Sequence, residues 1–264
     1  DFEWTVKNVK TAYEFQQELY GLVAEFAHEE IETRTESQPH DAYLEREIDR
    51  TVAAVTAEYD RFRFHQVVGE LRRFARLLRR YRDYRTPYKY AYGRALRALA
   101  AMGAPIAPYL GEELWHLLGE EGLAAGADWP TPLHDVEEYR SERELVRRTL
   151  DDVRDIVDVV DIDDPEEIEL VVAQPWKRRA YEIARAADDD TAVVGAIMDD
   201  DEVAAHDDAA ADFAASLAER SAELGPALAP ERERELLEQA AWLFEDEFGA
   251  GGTVRAAEDG DDLA

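Results

Sequence analysis

Along the first 120 residues apolar side chains recur every three or four positions, the spacing of helices that bury one face. The spacing predicts a first helix from about Phe2 to Ile31, with Val6, Val9, Tyr13, Leu19, Leu22, Val23 and Phe26 on its apolar side. Thr33 to His40 is polar, contains Ser37-Gln38-Pro39 and reads as a loop. Asp41 is placed to cap a second helix through Tyr59, with Leu44, Ile48, Val52 and Val55 at helical spacing. A third helix, Phe64 to Tyr84, carries Val67, Leu71, Phe74, Leu78 and Tyr81 in one stripe, and the Thr86-Pro87 step ends it. A fourth, Tyr88 to about Gly103, carries Leu96, Leu99 and Met102. In the stretch PIAPYLGEELW (105–115) two prolines three apart stop one helix and start the next, Pro108 standing where a missing N–H costs little. Glu112 and Glu113 suit the new N-terminus, and Leu110, Leu114, Leu117 and Leu118, joined by Trp115, make the apolar face. Five such helices in antiparallel order form a bundle.

Beyond it the pattern changes. Residues 119–139 are rich in Gly, Pro and acid and read as a connector. Ser141 to Val160 is helical, and Asp161 to Glu167 a turn. Ile168 to Ala173 (IELVVA) is the one convincing strand before residue 250. Pro175 opens a helix through about Ala187, and Ala192 to Met198 suits a short one. Pro230 starts a long helix to Phe248, after which Gly249 to Gly252 turn the chain into a possible strand at Thr253 to Ala257. The expected fold is therefore mainly α: a helix bundle over 1–120, a connector over 121–140, and a small, truncated α+β unit with one or two strands over 141–264.

Charge alters this picture. The 264 residues carry 61 Asp and Glu against 30 Lys and Arg, a net charge of −31. Only Lys7, Lys10, Lys89 and Lys177 are lysine. Acid excess with scarce lysine and abundant alanine fits a protein working in molar salt, where the screening length falls to ~3 Å and surface carboxylates barely repel one another. The basic residues are concentrated: twelve lie between Arg61 and Arg97, opposed only by Glu70 and Asp83. In the third helix Arg72, Arg76, Arg79 and Arg80 recur about half a turn from the apolar stripe and form an outward ridge. Arg73, Arg82, Arg85 and Lys89 extend it, and these eight are the candidate RNA-contacting residues. Two uses suit the ridge and can share it: contact with phosphates, or pairing with neighbouring acidic helices.

Chemistry is otherwise scarce. There is no cysteine, which excludes disulfides and thiolate metal sites. No apolar run approaches the ~20 residues of a membrane span, and no charged-then-apolar leader opens the chain. Asp151-Asp152-Val153-Arg154-Asp155 has the spacing of a magnesium–diphosphate motif, but Arg147, Arg148 and Arg154 share its helix. Asp161 to Val172 begins like a calcium loop, yet Pro165, Glu166 and Val172 occupy positions that such a loop cannot give them. In His28-Glu29-Glu30-Ile31-Glu32 the second histidine of a zinc-protease helix is a glutamate. No phosphate-binding glycine loop and no nucleophile elbow occurs. Catalytic and metal-binding residues are thus expected to be none.

PIAPYLGEELWHLLG (105–119) resembles the segment that ends the helical domain of class I aminoacyl-tRNA synthetases for Val, Ile, Leu and Met. The arginine helix with Tyr81-Arg82-Asp83-Tyr84 stands where those enzymes have a comparable helix. The strand IELVVA followed by AQPWK (173–177), and Asp1-Phe2-Glu3-Trp4 at the entry, are similar to the C-terminal region of archaeal-type leucyl-tRNA synthetases. The resemblance covers nearly the whole chain and, with the acidic composition, points to a haloarchaeal member. It implies a cytoplasmic tRNA-binding piece of an ATP-dependent ligase, with leucine tRNA and the same enzyme's catalytic domain as partners, and neither DNA nor membrane. The His-Ile-Gly-His and Lys-Met-Ser-Lys-Ser motifs of that catalytic domain do not occur here. ATP would accordingly belong to the absent domain, and no cofactor to this piece. The unusual opening residues, and methionines only at 102 and 198, also read as an excised piece. Two alternatives stand beside this reading: the same module of a valyl or isoleucyl enzyme, and an acidic helical protein-interaction scaffold without RNA.

Overall fold

The computed structural model describes residues 6–160, 162, 165–187, 192–221, 224–225 and 227–257. The chain is mainly α and divides into two units, Asp1–Tyr139 with Glu245–Glu247, and Arg140–Phe244 with Phe248–Ala264.

In the first unit α1 (Val6–Ala27) is followed by α2 (Pro39–Asp60), α3 (Phe64–Tyr84), α4 (Lys89–Gly103) and α5 (Pro108–Leu117). The start expected for α1 at Phe2 lies outside the described residues. Its end differs from expectation: Glu29 takes a left-handed φ of 56°, and the Glu30 N–H donates back to the Glu25 carbonyl at 2.8 Å. That reverse bond satisfies a terminal carbonyl and stops the helix at Ala27. The apolar side also begins later than its pattern suggested. Val6, Val9 and Tyr13 are 87%, 50% and 60% exposed, whereas Phe15, Leu19, Leu22 and Val23 are buried. Packing therefore reaches only the later turns of α1.

The stripes of α2, α3 and α4 are buried as their spacing predicts, with Leu44, Ile48, Val52, Val67, Leu71, Phe74, Leu78, Tyr81, Leu96, Leu99 and Met102 all inside. Asp41, however, is not the residue before the helix. The helix starts at Pro39, and Asp41 sits in its first turn, accepting the Gln38 N–H at 2.7 Å. In α5 only Gly111 and Leu114 are fully buried. Gly111 is there because α5 lies against α4: a Cβ at this position would stand 2.6 Å from Ala104 Cα. Trp115, expected in the core, is only half-buried, and its indole N–H reaches the Glu121 carbonyl at 3.4 Å.

The segment expected to be a plain connector is anchored and partly helical. The Glu112 carboxylate accepts the N–H groups of Ala124 and Ala125 at 2.8 and 3.1 Å, holding the short 3-10 turn Ala124–Gly126. The Trp129 indole donates to Thr56 Oγ1 at 2.8 Å. Asp49, buried on α2, accepts the His134 N–H at 3.0 Å and pairs with Arg94. Helix α6 (Val136–Val160) begins inside the expected connector.

In the second unit β1 (Glu167–Val172) pairs in parallel with β2 (Gly251–Ala256), Glu167 opposite Gly251 and Val172 opposite Ala256. Ile168, Leu170 and Val172 point into one cluster with Leu237, Phe244 and Ala250. A parallel pair needs a long crossover. Here it comprises α7 (Pro175–Ala186), α8 (Val193–Met198), α9 (Asp201–Ala204), α10 (Asp207–Glu219), α11 (Pro230–Ala240) and α12 (Trp242–Phe248). Helices α9 and α10 were not legible in the acidic stretch after Ala186. They bury Val203, Ala210, Ala214 and Leu217 against Trp176, Ala180 and Ala184, and a face made of alanines shows no large apolar periodicity. The long helix expected from Pro230 to Phe248 is broken at Ala241. One straight helix buries one face, and the break lets three successive residues, Trp242, Leu243 and Phe244, all be buried.

Candidate nucleic-acid interface

The candidate surface is the outer face of α3. Its inner stripe is fixed by burial, so side chains half a turn away must face outward. Arg73, Arg76 and Arg79 are exposed, Arg72 and Arg80 half-buried.

Most of the ridge is occupied by carboxylates. Arg79 pairs with Glu18 of α1, Arg82 with Glu25, and Arg73 with Glu70 of its own helix. Lys89 Nζ lies 3.7 Å from Glu29. Arg80 and Arg85 pair with Asp246 and Glu245, the short acidic segment that belongs to the same unit. Glu70 is pushed up by burial, but Arg73 and Arg50 outweigh it and hold its carboxyl below the ordinary range. Two of the eight differ. Arg72 lays its guanidinium over the Phe15 ring at 4.3 Å and donates to the Thr11 carbonyl at 3.2 Å. Arg76 is exposed and has no ion-pair or hydrogen-bond partner among the described residues.

Beyond the C-terminal end of the ridge lies an open cleft of about 600 Å³, lined by Glu25, Ile31, Arg82, Tyr84, Arg85 and Pro87. A polar hub that sequence reasoning missed holds this corner together. Arg34, in the loop after α1, donates to Asp41 Oδ2 at 2.7 Å and also bonds Oδ1. The Tyr81 hydroxyl of α3 donates to the same carboxylate. Arg34 further donates through Nε to the Thr86 carbonyl at 2.9 Å, while its backbone exchanges bonds with Pro87 and Lys89. Burial pushes the Asp41 carboxyl up, yet the bonds from Arg34, Tyr81 and Gln38 prevail and hold it below the ordinary carboxylate range. Burial and the Asp41 charge raise the Tyr81 phenol far above its ordinary value, so the phenol remains a donor. The only signal in the sequence was an arginine alone in an acidic loop. Its partners are 7 and 47 residues away, beyond any periodicity.

What this arrangement can do is bind anions. The more exposed pairs, those of Arg73 and Arg79, offer guanidinium groups that phosphates can claim from carboxylates, and Arg76 offers one already available. Among the described residues no helix is long and apolar enough to cross a membrane, and no group of three or more metal-ligating side chains occurs.

A profile of the family described as the anticodon-binding domain of tRNA ligase matches residues 41–172, from α2 through β1. Over 261 residues, 99% of this chain, the sequence is 35% identical to the leucine–tRNA ligase of Halobacterium salinarum and covers 29% of it. It is 28% identical over 94% of its length to the leucine–tRNA ligase of Aeropyrum pernix, covering 25% of that protein. For the Pyrococcus abyssi leucine–tRNA ligase the figures are 25%, 78% and 22%. The chain thus spans about a quarter of the length of these curated relatives. A solved LeuRS–tRNA–LeuAMS ternary complex from Agrobacterium radiobacter K84 overlaps 50% of this chain and 17% of its own, at 24% identity and a TM-score of 0.43, too loosely to add weight.

Proposed function

We propose that this chain, which belongs to the anticodon-binding domain family of tRNA ligases, is the tRNA-docking part of a leucyl-tRNA synthetase working in molar salt. The observation that carries the reading is the match to a leucine–tRNA ligase along 99% of the chain. The basic face of α3, in a chain of net charge −31, supports it. Catalysis is assigned to a domain outside this chain, the partner to leucine tRNA, and the site of action to the cytoplasm.

In this reading Arg76 and Arg72 meet the phosphate backbone first, and the paired Arg73, Arg79, Arg80, Arg82, Arg85 and Lys89 exchange carboxylate for phosphate as the RNA arrives. Guanidinium suits the task because it binds phosphate in bidentate fashion and is weakly hydrated, which preserves contact when salt screens long-range attraction. The test compares the ligase that contains this chain, wild type against Arg76→Ala with Arg79→Ala, across a salt series. Leucine activation is expected to be unchanged, while tRNA affinity falls and the slope of log affinity against log salt drops by roughly 0.7–0.9 per contact removed. Unchanged affinity with reduced thermal stability would assign the ridge to intramolecular pairing alone.

The salt assignment has its own test. At a screening length of ~30 Å, near 10 mM salt, repulsion among the carboxylates reaches across the molecule; at 1 M it does not. Helical circular dichroism is expected to be lost on dialysis to low salt and regained at high salt. An identical melt in both would reject the assignment.

A further inference from the structure

The turn between α2 and α3 breaks a rule of helix termination. Helix α2 ends at Asp60, Arg61 caps it, and Phe62 follows with φ 55°. The Phe62 N–H donates to the Tyr59 carbonyl at 2.9 Å and the Arg63 N–H to the Glu58 carbonyl at 2.9 Å. These are the two reverse bonds of a Schellman motif, and Phe62 holds the position where the left-handed conformation favours glycine or asparagine. A bulky side chain there is strained.

Burial does not compensate for the strain, since Phe62 is 79% exposed. Its one ring neighbour among the described residues is Phe64, edge-on at 6.2 Å and itself half-exposed. Phe64 in turn leans on Tyr59, which is anchored by its hydroxyl bond to the Met102 carbonyl at 2.8 Å. Helix α1 ends in the same motif with Glu29, a polar residue at home in solvent. Phe62 gives up conformational ease and hydrophobic burial together, on a rigid base. Arg61 and Arg63 flank it, both more than half exposed and held only loosely to Glu58, at 3.4 and 3.9 Å.

We propose that Phe62 is a nucleobase-stacking residue, presented by the left-handed turn, with Arg61 and Arg63 as the phosphate contacts on either side. An aromatic face flanked by guanidinium groups is the combination that recognises an unpaired nucleotide: the ring takes any base by its π-face and the cations hold the backbone. The inference rests on the docking reading above and extends it to a residue outside the ridge. A strained, exposed phenylalanine also makes the test unusually sharp, because function and stability move in opposite directions.

The experiment measures the ligase that contains this chain, in molar salt, for thermal stability and for affinity to leucine tRNA, as wild type, Phe62→Asn, Phe62→Tyr, and Arg76→Ala with Arg79→Ala. Phe62→Asn relieves the backbone and is expected to melt at the same or a higher temperature, while tRNA affinity falls roughly tenfold. Phe62→Tyr is expected to keep affinity within about twofold, since it keeps the stacking face. Stacking is not ionic, so Phe62→Asn should leave the salt slope unchanged, whereas the Arg76, Arg79 variant lowers it. If Phe62→Asn binds tRNA like wild type while the arginine variant loses affinity, the stacking inference falls and the docking reading stands. If Phe62→Asn loses stability and affinity together and Phe62→Tyr restores neither, Phe62 is a packing residue and the inference is overturned. If the wild type itself binds no tRNA, both readings fail.

Discussion

Arg34 and Arg79 each hold a carboxylate, Asp41 and Glu18, yet the two pairs are different objects. The side chains of the first are 15% and 0% exposed, those of the second 46% and 24%. Asp41 also receives bonds from Tyr81 and the Gln38 N–H, so its remaining lone pairs are satisfied. Glu18 is partly open to solvent instead. A desolvated pair is expensive to break, because the partner left behind is a buried charge. An exposed pair gives up little when it opens, because water and salt replace it. One α3 helix therefore carries a permanent joint at Tyr81 and, two residues earlier at Arg79, a contact that can be exchanged.

The largest expected effect breaks the joint. Asp41→Asn removes the charge that Arg34 was placed to meet, and a loss of about 3–5 kcal/mol is expected in denaturant titration. The same group gives a pH test. A carboxyl held below its ordinary value in the folded state contributes stability that is complete above the unfolded value of ~3.9 and is lost as pH falls through the folded one. The stability gap between wild type and Asp41→Asn is thus expected to stay constant from neutral pH down to about pH 5 and to narrow below it. A gap of full size in strong acid would mean that Asp41 does not act as a charge.

A second comparison carries the contrast to uncharged packing. A Cβ at Gly111 would collide with the Ala104 backbone, whereas one at Gly103 meets nothing within 4 Å. Gly111→Ala should cost about 1–3 kcal/mol as α4 and α5 are pushed apart. Gly103→Ala should be close to neutral. Equal effects would show that the two helices can slide.

The smallest effect concerns the pair that the docking proposal requires to open. Arg79→Ala should change stability by less than about 1 kcal/mol, and by less still in molar salt, where its exposed pair is screened. Urea melts at two salt concentrations would detect a larger, salt-insensitive loss, and that result would place Arg79 with Arg34 among the fixed pairs.

Much of the first unit was legible because helix periodicity is a local signal. Leu71, Phe74, Leu78 and Tyr81 are spaced for one face of one helix, and any protein that buries that face must expose Arg76 and Arg79. The strand at 168–172, with its large β-branched residues, was legible for the same reason. Helix α10 was not, since Ala210 and Ala214 are buried only because Trp176 and its neighbours happen to face them. Nor was the shortness of the apolar face of α1, where Val6 and Tyr13 have the right spacing and yet stay exposed.

The sequence by itself determined the mainly helical character, the order of the bundle's helices and the clustering of arginine on one face, since all three depend on residues close together in the chain. Tertiary structure alone decided which arginines are committed. Arg34 finds Asp41 and Tyr81, Arg79 finds Glu18, and Arg76 remains open to solvent, although nothing in their own segments distinguishes them. The physical reason is that the strength of an ion pair is set by the dielectric around it, and that surrounding is assembled from segments distant in sequence.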